Sequence, residues 1–78
     1  MSISIYDLLK REVRKMVASL GRYEKGNIHP LVMNEIERCV IVLVLEETRY
    51  NYLRAARALG ISRSRLYRRV KTLGIRPK

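Results

Sequence analysis

Apolar residues along this 78-residue chain recur at helical rather than alternating spacing, and start and stop signals divide them into four segments. Ile5, Leu8, Leu9, Val13, Met16, Val17 and Leu20 follow one helical stripe, opened by Ser4 and Asp7 in the manner of a capping box and closed by Gly21. They predict a helix over about 5–20. Residues 22–29 hold Gly26, Asn27 and His29 without apolar period, which predicts a loop, and Pro30 then suits the first turn of a second helix over about 30–47. Asn51 can cap a short third helix over about 52–59, ended by Gly60, and Ser62 a fourth over about 63–73, ended by Gly74 and Pro77. The expected fold is all-α, with residues 1–48 as a helical dimerisation region and residues 49–78 as a separate functional unit.

One stretch tests that reading. Cys39-Val-Ile-Val-Leu-Val-Leu45 is rich in β-branched residues and by local propensity alone could be a buried strand. No other segment alternates with period two to pair with it, and Ile36, Val40, Leu43 and Val44 continue a helical stripe, so a helix is expected. Such a helix is apolar on nearly all sides, and three short neighbours cannot cover it. A second copy is the expected cover. Leu9, Val13, Met16 and Leu20 of the first helix, with Ile36, Val40, Leu43 and Val44 of the second, are the expected interface of an intertwined homodimer.

The same stretch is seven residues long, against about 20 needed to span a bilayer, and no basic-then-apolar signal opens the chain. No membrane partner and a cytoplasmic setting are expected. Cys39 is the single cysteine, which excludes an intramolecular disulfide and a four-ligand zinc site and assigns it to the core or interface. His29 has no second ligand beside it, and no set of nucleophile, base and orienter is present, so neither metal, cofactor nor enzymatic activity is expected.

Charge changes the picture most. Residues 1–48 hold seven basic and seven acidic groups, whereas residues 49–78 hold ten basic groups and no acid, so the last thirty residues carry the whole net charge of +10. A polyanion is the expected partner.

Within that basic part, Leu53, Ala56 and Leu59 give the third helix an inward face, and Ala55 and Ala56 admit a close neighbour. Leu66, Val70 and Leu73 give the fourth helix its own inward stripe, leaving Ser64, Arg65, Arg68, Lys71 and Thr72 outward. With Gly60-Ile61 as the connection, this is a helix-turn-helix pattern. Arg63 and Arg65, in the first turn of the fourth helix, are placed to reach guanine O6 and N7, while Arg54 and Arg57 are expected as phosphate contacts or surface charges. Ser62 can cap the helix and donate to a phosphate. Tyr67 is expected in core packing, whereas for Tyr50 and Tyr52 beside Asn51 packing on sugar-phosphate, capping and core packing are equally open.

The segment from Glu46 to Ile75 resembles the helix-turn-helix of the Fis family, the factor for inversion stimulation, in Ala55-Ala56, Leu59-Gly60-Ile61, Arg63, Leu66 and Leu73-Gly74-Ile75. The same module resembles the C-terminal DNA-binding domain of NtrC-type, sigma-54-dependent enhancer-binding regulators. Upstream, His29 to Arg38 is similar to the family's second helix. The resemblance implies a four-helix subunit, a symmetric dimer through its first two helices, and a recognition helix of each subunit in successive stretches of the major groove of bent double-stranded DNA. It places Asn51, Ser62, Arg63, Arg65, Arg68 and Arg69 at DNA-contacting positions; Arg54 and Lys71 complete the expected set. The implied function is transcription regulation in the nucleoid. The expected setting is the excised DNA-binding domain of an enhancer-binding activator, which would meet sigma-54 RNA polymerase through domains absent from this chain; the alternative is a self-contained nucleoid-associated bending protein. Two departures stand out: Arg49-Tyr50 occupies a place where the family commonly has Gly-Gly or Arg-Gly, and Arg65 one where a small hydroxyl residue is common.

Overall fold

A computed structural model describes residues 2–19 and 26–76. The described residues form four helices and no strand: α1 (Ile5–Ser19), α2 (Ile28–Glu47), α3 (Tyr52–Leu59) and α4 (Arg63–Thr72). The all-α expectation holds, and the β-branched stretch lies inside α2 as helix. The chain divides into two compact units, residues 1–33 and 34–78.

In the first unit, the Ser4 hydroxyl oxygen accepts the Asp7 N–H at 3.0 Å, which opens α1 as expected. No residue of α1 is buried; Leu9 is exposed, and Val13 and Met16 are half-buried. Leu20, the fourth residue expected in its interface stripe, and the stop at Gly21 lie outside the described residues, as does Pro77. The second helix begins at Ile28, two residues before the expected start, so Pro30 falls within its first turn, where its missing N–H is not needed.

The second unit is built around Ile41 and Leu45 of α2, Ala55 and Ala56 of α3, Leu66 and Val70 of α4, and Ile75. Two alanines at the centre let α3 come close to its neighbours. Tyr52, Ala55, Ala56 and Leu59 form the inner stripe of α3, while Leu53 is exposed, contrary to expectation. The stripe starts one residue earlier than hydrophobicity alone implied, because Tyr52 occupies the inward place. Val44 packs on this core, whereas Val40 and Leu43 stay 44% and 54% exposed in the single chain. Cys39 is exposed too, which excludes the core for it.

Each of the last three helices ends in the same reversal. After α2, the Tyr50 N–H reaches the Leu45 carbonyl (2.7 Å) and the Arg49 N–H that of Glu46 (3.1 Å). After α3, Ile61 pairs with Ala56 and Gly60 with Arg57, and after α4, Ile75 pairs with Val70 and Gly74 with Lys71. This is the Schellman arrangement, which puts one residue in the left-handed region and drops the next, an apolar one, onto the core. Two of the left-handed residues are Gly60 (φ 76°) and Gly74 (φ 68°), but the first is Arg49 (φ 54°), followed by Tyr50 at φ 62°. A side chain in this region raises the energy by roughly 1–2 kcal/mol. Compensation comes from Tyr50 packing against the core, from the Asn51 N–H bonding the Thr48 carbonyl, and from the Thr48 hydroxyl donating to the Val44 carbonyl at 2.9 Å.

Replacing Arg49 by glycine should relieve that strain without removing a backbone hydrogen bond. A net gain of about 0.5–1 kcal/mol remains after the larger chain entropy of unfolded glycine is subtracted. Thermal denaturation at fixed protein concentration should show a midpoint a few degrees higher; a midpoint unchanged or lowered would show that the Arg49 side chain is itself stabilising there.

Candidate nucleic-acid interface

Both helices of the α3–α4 pair start with a side-chain cap. Asn51 Oδ1 accepts the Arg54 N–H at 3.0 Å, and Ser62 Oγ accepts the Arg65 N–H at 3.1 Å. Each cap therefore uses an oxygen as acceptor and keeps a donor free, the Asn51 amide NH₂ and the Ser62 hydroxyl hydrogen. Those donors stand at helix N-termini, where unpaired N–H groups and the helix dipole already favour an anion.

The inner stripe of α4 is Leu66, Val70 and the half-buried Leu73, and the opposite surface is polar. Arg63, Ser64, Arg65, Arg68, Lys71 and Thr72 are all exposed, as are Arg54 and Arg57 on α3. A shallow depression of about 280 Å³ lies between Arg65, Arg68, Arg69 and Thr72 on one flank of α4. On α3, Tyr52 stacks on Tyr67 of α4, with ring centroids 4.5 Å apart and planes 4° from parallel. Burial pushes the Tyr52 phenol above its ordinary pKa, with Tyr67 and Tyr50 adding to the effect. Tyr67 itself is 54% exposed, so it is a ring laid on the surface and not the core residue expected.

Residues 32–77 match the profile described as bacterial regulatory protein, Fis family. The chain belongs to the Fis family. That makes it a DNA-binding regulator with a helix-turn-helix, whose two helices are α3 and α4. No solved structure matches the chain. Among the described residues, no helix is long and apolar enough to cross a membrane, and no cluster of three acidic, histidine or cysteine side chains could hold a metal ion.

Within this Fis-family module, Arg69 stands apart from the other expected contact residues. Its guanidinium is turned to α2, where Nε donates to Glu37 Oε2 at 2.9 Å and the terminal nitrogen to Oε1 at 2.5 Å. The two side chains are 26% and 38% exposed. Hydrogen bonding from Arg69 holds the Glu37 carboxyl below its ordinary value of 4.5; desolvation opposes this, and the charges of Arg69 and Arg65 reinforce it. Glu37 was not singled out in the sequence, although a signal existed. It lies four residues before Ile41 and eight before Leu45, so helical spacing puts an acid on the core side of α2, facing the basic helix.

The pair's contribution to stability has a defined pH window. A carboxyl whose folded pKa is lowered stabilises the folded state above its unfolded pKa, and that contribution is lost as pH falls through the folded value. Glu37→Gln should therefore lower the denaturation midpoint modestly near neutrality, with the gap from the unsubstituted chain closing below about pH 4.5. A gap independent of pH would show that side-chain packing, and not the charge, is what the substitution removes.

Proposed function

We propose that the chain is a sequence-specific double-stranded DNA-binding regulator of transcription that acts as a homodimer, with α4 of each subunit in the major groove. The observation that carries the reading is the outward face of α4. Its exposed Arg63, Arg65, Arg68 and Lys71 project from a helix fixed by a buried stripe and opened by a cap whose hydroxyl can still donate. Arg63 and Arg65 belong to the first turn, the part of a recognition helix that comes nearest to base edges, and a guanidinium pairs bidentately with guanine O6 and N7. Arg68 and Lys71 lie further along and meet phosphates, as do Asn51, Arg54 and Ser62 at the start of α3 and α4.

The dimer rests on what the single chain leaves uncovered. On α1, Leu9 is exposed near the half-buried Val13 and Met16; on α2, taken by itself, Val40 and Leu43 are exposed near the half-buried Ile36. Burying this set against a second copy removes it from water and brings two recognition helices to one duplex. The reading covers what an enhancer-binding activator and a nucleoid-associated bending protein have in common, namely a regulator that occupies and bends duplex sites in the bacterial nucleoid.

Binding should be strongly electrostatic. If the dimer neutralises about 6–10 phosphates, log affinity should fall against log salt with a slope of roughly −5 to −9; a slope near −1 would overturn the reading. Arg63→Ala should weaken a selected site about tenfold or more and flatten base preference, whereas Arg68→Ala should weaken selected and random duplexes alike. Sedimentation without DNA at micromolar concentration should give about twice the chain mass. Val40→Asp should return the mass to that of a folded monomer, because in a lone chain residue 40 faces water and tolerates a charge, while in the dimer that charge is buried unpaired.

A further inference from the structure

The basic end of the chain holds no acid of its own, yet one carboxylate reaches it from 32 positions earlier, and it does so in the bidentate geometry that fixes a guanidinium most firmly. We propose that Glu37 is a specificity-determining residue: by holding Arg69 on α2 it removes one cation per subunit from the DNA-facing set and so suppresses sequence-independent binding. This rests on the reading of α4 as a duplex-reading helix.

The physical argument begins with numbers of charges. Sequence-independent affinity grows with every phosphate a cation can meet, while base discrimination grows only with contacts to base edges. Arg69 sits one position past Arg68 and lines the same depression as Arg65, Arg68 and Thr72, so a guanidinium released there needs only a rotamer change to swing outward. Its inward neighbours on α4 are the buried Leu66 and Val70, which keep its backbone at the border between core and solvent. Glu37 occupies the matching border on α2 and faces Arg69 and Arg65. Nε and one terminal nitrogen are engaged by one carboxylate, so that edge of the guanidinium cannot clasp a phosphate, and the carboxylate's charge offsets the attraction that the remaining N–H groups could exert on one. The pair also ties the recognition helix to the helix bearing the exposed Val40 and Leu43, so it fixes the roll of α4 as well as its charge.

The test measures affinity of the full chain for a selected site and for a random duplex between 50 and 200 mM salt, with circular dichroism to establish folding. In Glu37→Gln, the salt slope on the random duplex should steepen by about 0.9 per subunit, so that this salt step lowers affinity roughly three- to four-fold per subunit more than in the unsubstituted chain. The ratio of selected to random affinity should fall. Arg69→Gln should leave the slope where it was, and the double variant Glu37→Gln with Arg69→Gln should return to it, which separates a freed Arg69 from the mere loss of a negative charge. A slope reduced by about one per subunit in Arg69→Gln would show that Arg69 meets phosphate in the unsubstituted chain and would overturn the proposal. A double variant that keeps the steeper slope would overturn it too. If Glu37→Gln fails to fold, the Arg69→Gln slope decides alone. Failure of the parent reading looks different: the unsubstituted chain then shows no steep salt dependence on any duplex.

Discussion

The reversal at the end of each helix is the constraint on which the second unit depends. Helices of eight and ten residues, the lengths of α3 and α4, do not persist alone in water, because nucleating a helix is costly and few bonds repay it. They persist here because Tyr50, Ile61 and Ile75 are each turned inward immediately after a helix ends, closing a cluster centred on Leu45 and Leu66. A left-handed residue must precede each of these. Glycine at 60 and 74 meets that need without strain, with open space where a Cβ would be, so the restriction there is one of backbone conformation alone. At 49 and 50 the same geometry is imposed on arginine and tyrosine, and the turn into α3 is held by tertiary packing against local preference. Its position is informative, since it leads directly into Asn51, the cap that offers a donor beside Arg54.

Electrostatics then work against the compact state they serve. Ten cations within thirty residues repel one another, and packing α3 onto α4 brings several of them together. Residues 49–78 hold no acid, so neutralisation does not come from within them. Among the described residues it comes from Glu37 at one point, on the flank of α4 and not across its outward face. The repulsion left on that face is what a bound polyanion relieves.

Much of this was legible in the chain, for physical reasons that differ from residue to residue. The bounds of α3 and the start of α4 followed from Asn51, Gly60 and Ser62, because caps and left-handed stops act within a few residues. α2 was legible as a helix because a strand without a partner is not an option. The turn at Arg49-Tyr50 was not, since nothing in those residue types favours the left-handed region. Leu53 was misplaced because hydrophobicity was weighed above register, and Tyr52 had the better position. The engagement of Arg69 was legible only in part: the spacing of Glu37 before Ile41 and Leu45 puts an acid on the core side of α2, but its pairing with Arg69 is set by the packing of α2 against α4.

Helix α2 carries two sets of apolar residues, one buried and one exposed. Ile41 and Leu45 complete the core of the helix-turn-helix unit, while Val40 and Leu43, each adjacent in sequence to one of those or to Val44, point to solvent. The buried cluster draws only on α2, α3, α4 and Ile75, so its closure does not wait for a second copy. Under the proposed dimer, association therefore adds little to the internal order of each recognition helix and acts instead by tethering. The second helix then engages DNA at the high effective concentration set by a rigid link, and affinity rises without any new contact to a base. Rigidity in that link depends on α2 being continuous from its outward face to the α4-facing carboxylate at Glu37. Under the proposed dimer, one helix carries both the exposed Val40 and Leu43 and the carboxylate that holds Arg69.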